Sequence, residues 1–150
     1  MKILHLIPTY IPAKRGAGPI YPTHYLNKCL VKKGVEVTVY TTNLDEREVM
    51  TVPLDRPVFI DGVRVFYFRS SFFSRWFYSY SFQKALKKNI SEFDVIHITS
   101  VFLAFSTLGS YYARKFKKPY LISPHGSLMK EPLTMKSFFR KKIYISLIEK

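Results

Sequence analysis

Apolar runs alternate with amphipathic stretches along the chain, and the first run sets the pattern. In residues 2–8 only Lys2 and His5 are polar. The run is too short to span a membrane and too uniformly apolar for a strand with one face in water, which is typical of a strand covered on both faces. It therefore predicts a central strand of a parallel sheet.

A helix and a second strand follow Pro19. The helical spacing of apolar residues predicts a helix that ends at Gly34. Residues 35–40 are rich in β-branched side chains and predict a strand, so residues 2–40 make a strand, helix, strand unit with a right-handed crossover. The predicted inner stripe of the helix consists of Tyr21, Tyr25, Leu26, Cys29 and Leu30.

The middle of the chain contains a polar excursion and a hairpin. Residues 43–57 are polar with two prolines and are predicted to lie on the surface. Asp61 and Gly62 separate two apolar runs and predict a two-residue turn, because that turn needs positive φ. Residues 69–82 crowd aromatic side chains beside two arginines. This segment fits either a packed core or an interfacial segment at lipid headgroups.

Two further strands and three helices complete the pattern. Residues 93–99 and 119–123 predict buried strands. Residues 136–150 predict a helix without a Gly or Pro cap, which suggests a chain cut in or after that helix. The other two helices precede and follow the strand at 93–99. The first is predicted to face the core with Phe82, Ala85, Leu86, Asn89 and Ile90, and the second with Phe105, Leu108, Tyr112 and Phe116.

Strands that alternate with helices predict an α/β fold. We expect a three-layer, Rossmann-like domain whose doubly wound sheet is mostly parallel and twisted, with a β-hairpin excursion. The length of 150 residues fits one such domain. An exposed edge of that sheet is a predicted site of homodimer pairing.

Polar residues collect where three of the predicted strands end. An open α/β sheet binds ligands at the carboxyl ends of its strands, and glycines let backbone N–H groups approach an anion. The alternative for the glycine loop is a simple turn. His5 and His24 are interpreted as structural. The converging residues are Gly16 and Gly18 after the first strand, His97, Thr99 and Ser100 around the fourth, and Ser123, His125 and Ser127 after the fifth.

Several classes of site are missing from the sequence. The dinucleotide fingerprint fails because Tyr21 stands where its third glycine is required, and neither a P-loop nor a Gly-x-Ser-x-Gly elbow is present. No metal-ligand spacing occurs, and Cys29 has no second cysteine to bridge. The amino terminus lacks the features of a secretory signal, so the expected location is cytoplasmic.

The formal net charge is +14, from 24 Lys and Arg against 10 Asp and Glu. Such a charge attracts nucleic acid, an anionic bilayer or phosphorylated substrates, and a solvated basic surface is the remaining interpretation. No nucleic-acid motif appears, and the basic residues are spread over several helices. A non-enzymatic nucleic-acid-binding module and another type of nucleotide-binding Rossmann module stay open as alternatives.

Five blocks carry a family resemblance, namely Lys2–Pro8, Pro12–Pro19, Lys33–Thr42, Phe93–Ile98 and Pro119–Gly126. In their order and spacing they resemble the N-terminal domain of retaining GT-B glycosyltransferases of family 4, over nearly all 150 residues. The family usually has adjacent glycines where Ala17 separates Gly16 from Gly18, and often a second histidine where Thr99 stands.

The resemblance implies transfer of a sugar from a nucleotide-sugar donor to a glycan or lipid-linked acceptor, with retention of configuration and without a metal or other cofactor. In the family, the N-terminal domain holds the acceptor. A C-terminal donor-binding domain is absent from these 150 residues, so we expect the chain alone to be inactive. Members often serve cell-envelope polysaccharide synthesis, which implies a peripheral position at the inner face of an anionic membrane.

The resemblance also assigns roles to single residues. His125 is expected to face the transferred sugar as the catalytic residue. Donor phosphate and sugar binding is expected from Gly16, Ala17, Gly18, Gly126 and Ser127, and acceptor binding from Lys14, Arg15, His97, Thr99 and Ser100.

Overall fold

The computed structural model describes residues 1–15, 18–46, 48–71 and 77–125. The predicted C-terminal helix and the centre of the aromatic segment lie outside the described residues. The elements in chain order are β1 (Lys2–Leu6), α1 (Ile20–Lys32), β2 (Glu36–Thr42), β3 (Leu44–Asp45), β4 (Glu48–Val49), β5 (Pro57–Ile60), β6 (Val63–Phe68), α2 (Tyr80–Asn89), a 3₁₀ helix (Ile90–Glu92), β7 (Val95–Thr99), α3 (Ala104–Lys115) and β8 (Tyr120–Ser123).

Six strands form one sheet in the order β5-β6-β2-β1-β7-β8. Neighbouring strands are parallel except for β5, which pairs antiparallel with β6. β1 lies between β2 and β7, as its nearly continuous apolar sequence predicts for a strand covered on both faces. The strand order confirms the predicted α/β, Rossmann-like class with a hairpin at one edge of the sheet.

The hairpin turn forms at the predicted position. Asp61 and Gly62 have φ values of 50° and 82°, which the two central positions of a type I′ turn require. The excursion before the hairpin is attached more closely than predicted, because Leu44 is buried and Leu54 pairs with Tyr67 of β6. The short β3 and β4 strands pair antiparallel within it.

Helix α1 forms where it was predicted, and Leu30 packs against the core as predicted, but the prediction of the inner face is wrong for Tyr21, Tyr25 and Leu26. Tyr21 and Tyr25 are 55% and 70% exposed, whereas Thr23 and Asn27 are buried. The reason is that the sheet below α1 carries polar groups, and Asn27 hydrogen-bonds to His5 of β1. A helix over a polar patch turns its hydrogen-bonding side chains inward, since burying unpaired polar atoms is costly.

Helices α2 and α3 cover the opposite face of the sheet with the side chains that the sequence predicts. Phe82 and Phe105 are fully buried, and their rings stack with centroids 3.9 Å apart. Gly109 lets α3 approach closely, because a Cβ there would lie 2.7 Å from Leu6 Cδ1. None of the helices in the described ranges is long and apolar enough to cross a membrane.

Candidate active site at the strand ends

The carboxyl ends of β1, β7 and β8 lie side by side, because these strands are parallel neighbours. The backbone there is unusual: Ser100 and Phe102 after β7 and His125 after β8 have φ values of 76°, 64° and 46°. Non-glycine residues held in this left-handed region are strained, and such strain collects at functional sites. The strand ends therefore form the first candidate for a site.

Two histidines lie next to each other on the face of the sheet that α1 covers. His5 of β1 is in register with His97 of β7, and their rings stack with centroids 3.9 Å apart. Burial, with a smaller electrostatic contribution from His97, lowers the pKa of His5 to about 3, and burial, with a smaller contribution from His125, lowers the pKa of His97 to about 4. Both stacked imidazoles are therefore neutral near pH 7, and His125 acts on them electrostatically from the end of β8.

His97 offers hydrogen-bonding capacity to a ligand. Its Nε2 lies 2.8 Å from Ser123 Oγ of the neighbouring strand, and the ring is half-buried. Its Nδ1 has no hydrogen-bond partner among the described residues. A neutral imidazole with one free nitrogen can donate to or accept from a hydroxyl group, which suits a polar, uncharged substrate.

Thr99 faces the protein interior. Its side chain is fully buried, and its Oγ1 lies 2.6 Å from His5 Nε2. The other ring nitrogen of His5 lies 2.9 Å from Asn27 Oδ1, so both nitrogens of this buried imidazole are satisfied. The geometry gives Thr99 a contact with His5, and its predicted role in acceptor binding stays a prediction.

The loop after β1 is fastened by carboxylates of the β3–β4 hairpin. The backbone N–H groups of Lys14 and Arg15 donate to the Asp45 carboxylate at 2.9 and 2.8 Å. The Arg15 guanidinium pairs with Glu48 on the exposed surface, and the Tyr67 hydroxyl donates to the carbonyl of Ile11. The predicted acceptor-side loop is thus held in place as it leaves the sheet.

One cavity in the described part of the chain lies elsewhere. It measures about 340 Å³ and sits near the amino ends of β2 and β6, with Phe59 and Arg64 in its wall. Ligands of open α/β sheets bind at the opposite, carboxyl ends of the strands. The described ranges also contain no group of three or more His, Cys, Asp or Glu side chains that could hold a metal ion. We therefore place the site at the strand ends.

The family model for glycosyltransferase family 4 matches residues 23–149. This chain belongs to glycosyltransferase family 4. Its sheet is the Rossmann-like type of a GT-B domain, and membership supports glycosyl transfer as the general activity. No curated protein matches the chain.

Within this family-4 domain, the structure brings together only some of the predicted site residues. His97, Thr99 and Ser123 lie on the neighbouring strands β7 and β8, and Ser100 and His125 follow those strands directly. Lys14 and Arg15 lie on the loop after β1. The predicted donor-binding residues Gly16, Ala17, Gly126 and Ser127 lie outside the described residues.

Gly18 is the one predicted donor-binding residue that the structure describes. Its φ is outside the left-handed region, and a Cβ built on it would meet no atom within 4 Å. The backbone conformation and the neighbouring protein atoms therefore do not require glycine at this position. The role of Gly18 in donor binding stays a prediction.

Sequence reasoning missed the polar network behind the site in the family-4 domain. It interpreted His5 as structural but gave no role to Asn27 or Tyr10, both of which are buried and hydrogen-bonded. One signal was present: His5 and His97 lie near the middle of two apolar strands. Pairing those strands in register places both imidazoles on the same face.

Proposed function

We propose that the chain is the acceptor-binding half of a glycosyltransferase that moves a sugar from a nucleotide-sugar donor to a glycan or lipid-linked acceptor, with retention of configuration. The observation that carries this proposal is the grouping of His97, Ser100 and His125 at adjoining strand ends of a family-4 domain. The neutral His97 ring fits a substrate rich in hydroxyl groups.

The roles in this proposal follow from position. His125 faces the transferred sugar from its strained backbone at the end of β8. The backbone amides of 16–18, with Gly126 and Ser127, meet the donor phosphates, since N–H groups without a Cβ nearby suit an anion. Lys14, Arg15, His97, Thr99 and Ser100 form the acceptor side.

A second domain completes the site in this proposal. Donor binding and most of the transition-state stabilisation come from a C-terminal domain, and the 150-residue chain alone has no turnover. The experiment measures release of nucleoside diphosphate from nucleotide sugars, with the chain alone and with the chain joined to a family-4 donor-binding domain. Turnover by the chain alone would contradict this division of roles.

A pair of variants tests the role of His125 in the joined protein. His125→Ala and His125→Asn both remove the imidazole, but Asn tolerates the left-handed backbone better. We expect both variants to lower kcat by roughly 100-fold or more, as expected for loss of a group that acts on the reacting atoms. Loss in His125→Ala alone would show that backbone conformation, and not the imidazole, is what matters.

We also propose that the chain works at the inner face of an anionic membrane. The net charge of +14 supports this, since each basic residue near such a surface adds on the order of 1 kcal/mol. Tyr80 of the aromatic segment 69–82 is 71% exposed, as an interfacial anchor requires. Co-sedimentation with phosphatidylserine vesicles at low and high salt is the test, and no binding at low salt would end the proposal. Binding of random DNA that persists near physiological salt would favour the nucleic-acid alternative.

A further inference from the structure

A series of side-chain hydrogen bonds runs from the hairpin turn through α1 to the carboxyl end of β7. We call it the Asp61–Thr99 chain. Its members in order are Asp61, His24, Tyr10, Asn27, His5 and Thr99, and the five donor-to-acceptor distances are 3.1, 2.8, 3.2, 2.9 and 2.6 Å. Four of its members are fully buried, namely Tyr10, Asn27, His5 and Thr99.

The first member fixes which atom donates in every bond. Lys28 and then His24 hold the pKa of Asp61 below its usual value, so its carboxylate is ionised and only accepts. In its neutral form, His24 donates to this carboxylate from Nε2, which leaves its Nδ1 to accept from the Tyr10 hydroxyl. Burial raises the pKa of Tyr10, so that hydroxyl keeps its proton.

The order continues to the far end without a break. The Tyr10 oxygen accepts from Asn27 Nδ2, and Asn27 Oδ1 accepts from His5 Nδ1. His5 is neutral, so its Nε2 carries no proton and accepts from the Thr99 hydroxyl. With neutral His24, the order of donors from the surface carboxylate to the end of β7 is therefore unique.

We propose that Asp61 sets this single proton order, and that Asn27 and His5 are positioning residues for the acceptor side of the crevice. The positioning part rests on the proposed function. The Asp61–Thr99 chain reaches that side at two points: His97 stacks on His5, and Tyr10 lies on the same loop after β1 as Lys14 and Arg15.

The reverse order shows why the ends matter. Exchanging donor and acceptor in each inner bond also satisfies Tyr10, Asn27 and both histidines. It requires a donor at position 61, however, and it leaves the buried Thr99 hydroxyl proton without its acceptor on His5. An amide at position 61 can donate or accept, so it removes the first of these two reasons against the reverse order and leaves only the one at Thr99.

The experiment determines the tautomers of His5 and His24 by ¹⁵N NMR of the chain, with no sugar present. In the wild type we expect the proton on Nδ1 of His5 and on Nε2 of His24. Asp61→Asn keeps a residue suited to the type I′ turn. We expect it to introduce the other tautomer on both rings together. Lys28→Met is the matched control, because Lys28 also bonds to Asp61 at 2.9 Å but lies outside the chain, and it should leave both tautomers unchanged.

Removing one hydrogen bond in the middle of the Asp61–Thr99 chain tests whether the tautomers of His24 and His5 are coupled. In a Tyr10→Phe background, Asp61→Asn should no longer affect His5. A wild-type His5 with its proton on Nε2 would overturn the proton order. A change at His24 that leaves His5 unaltered in the Asp61→Asn variant would overturn the coupling.

The positioning role has a separate readout in the joined transferase. Asp61→Asn should raise KM for the acceptor several-fold while KM for the donor stays unchanged, because the described groups nearest to the Asp61–Thr99 chain, His97 and the loop residues Lys14 and Arg15, are on the proposed acceptor side. Shifted tautomers with an unchanged acceptor KM would overturn the positioning role. The NMR measurement of the tautomers does not depend on catalysis. A result that contradicts the proton order is therefore distinct from one that contradicts the proposed function, which His125→Asn tests.

Discussion

The two faces of the central sheet are stabilised in different ways. The face covered by α2 and α3 is an apolar cluster in which Phe82 stacks on Phe105 and Tyr40 packs edge-on against Phe68. The face covered by α1 combines an apolar cluster with the buried polar groups of His5, Thr99 and Asn27. One face is held mainly by contacts without direction and the other also by directed bonds.

This difference shows how one sheet serves both stability and function. Apolar packing tolerates small shifts, because it depends on the area buried more than on orientation. Hydrogen bonds fix orientation as well as distance. The stacked histidines are on the face with directed bonds, where a hydrogen bond between His97 and Ser123 fixes the distance and orientation of the two side chains. Four measurements test this comparison.

The largest expected effect is on the apolar face. Phe82→Ala should lower the free energy of unfolding by about 3–5 kcal/mol, because it removes a fully buried ring and leaves a cavity. Urea denaturation followed by circular dichroism measures this. Phe82→Leu is the control and should cost less. A loss below about 1 kcal/mol for Phe82→Ala would mean that α2 is not firmly packed.

The next effect is on the polar face. Asn27→Leu keeps similar bulk but leaves the buried His5 Nδ1–H without its acceptor, which should cost about 1–3 kcal/mol. The matched control is Asn89→Leu, which removes one hydrogen bond to the Tyr40 hydroxyl at a half-buried position and should cost less. Equal losses in the two variants would remove the distinction between the faces.

Acidification should also act through the polar face. In the unfolded chain histidine titrates near pH 6.5, whereas burial lowers the pKa of His5 to about 3 and of His97 to about 4. Between those values the unfolded state binds more protons, so stability falls as pH falls below 6.5. His5 alone should contribute a loss of about 2 kcal/mol by pH 5, and half-buried His97 a smaller one. Urea denaturation at pH 7.5 and pH 5 checks this. As a control, Phe82→Ala should lower the free energy of unfolding by the same amount at both pH values. Unchanged stability between the two pH values would contradict it.

The smallest expected effect has the opposite sign. The buried hydroxyl of Thr41 has no hydrogen-bond partner within the described part of the chain. Thr41→Val removes that polar atom with little change in shape, and it should raise the free energy of unfolding by up to about 1 kcal/mol. The same denaturation assay measures the gain. A destabilised variant would show that the hydroxyl has a role in the fold.

The sequence predicted the framework because its signals are local. A continuous apolar run identifies β1, and Asp61 with Gly62 identifies the hairpin, since each pattern is read within a few neighbouring residues. The convergence of His97, Ser100 and His125 also follows from strand ends alone. These features need no knowledge of which side chains meet.

The orientation of α1 could not be predicted in this way. Its inner face is decided by the bond between Asn27 and His5, residues 22 positions apart, and by the bond of His5 to Thr99, 94 positions apart. The amphipathic pattern of the helix favours Tyr21 and Tyr25 as core residues, and their exposure shows that long-range polar pairing overrode it. Reading that result from sequence requires the pairing of β1 with β7 first.

The left-handed residues at the rim of the crevice bear on any attempt to engineer this protein. Glycine at Phe102 or His125 would relax a backbone that now resists its own side chain. Screens for heat resistance would therefore tend to select such replacements. The same exchange at His125 would remove the imidazole from the proposed reaction centre. One substitution would therefore raise thermal stability and lower turnover.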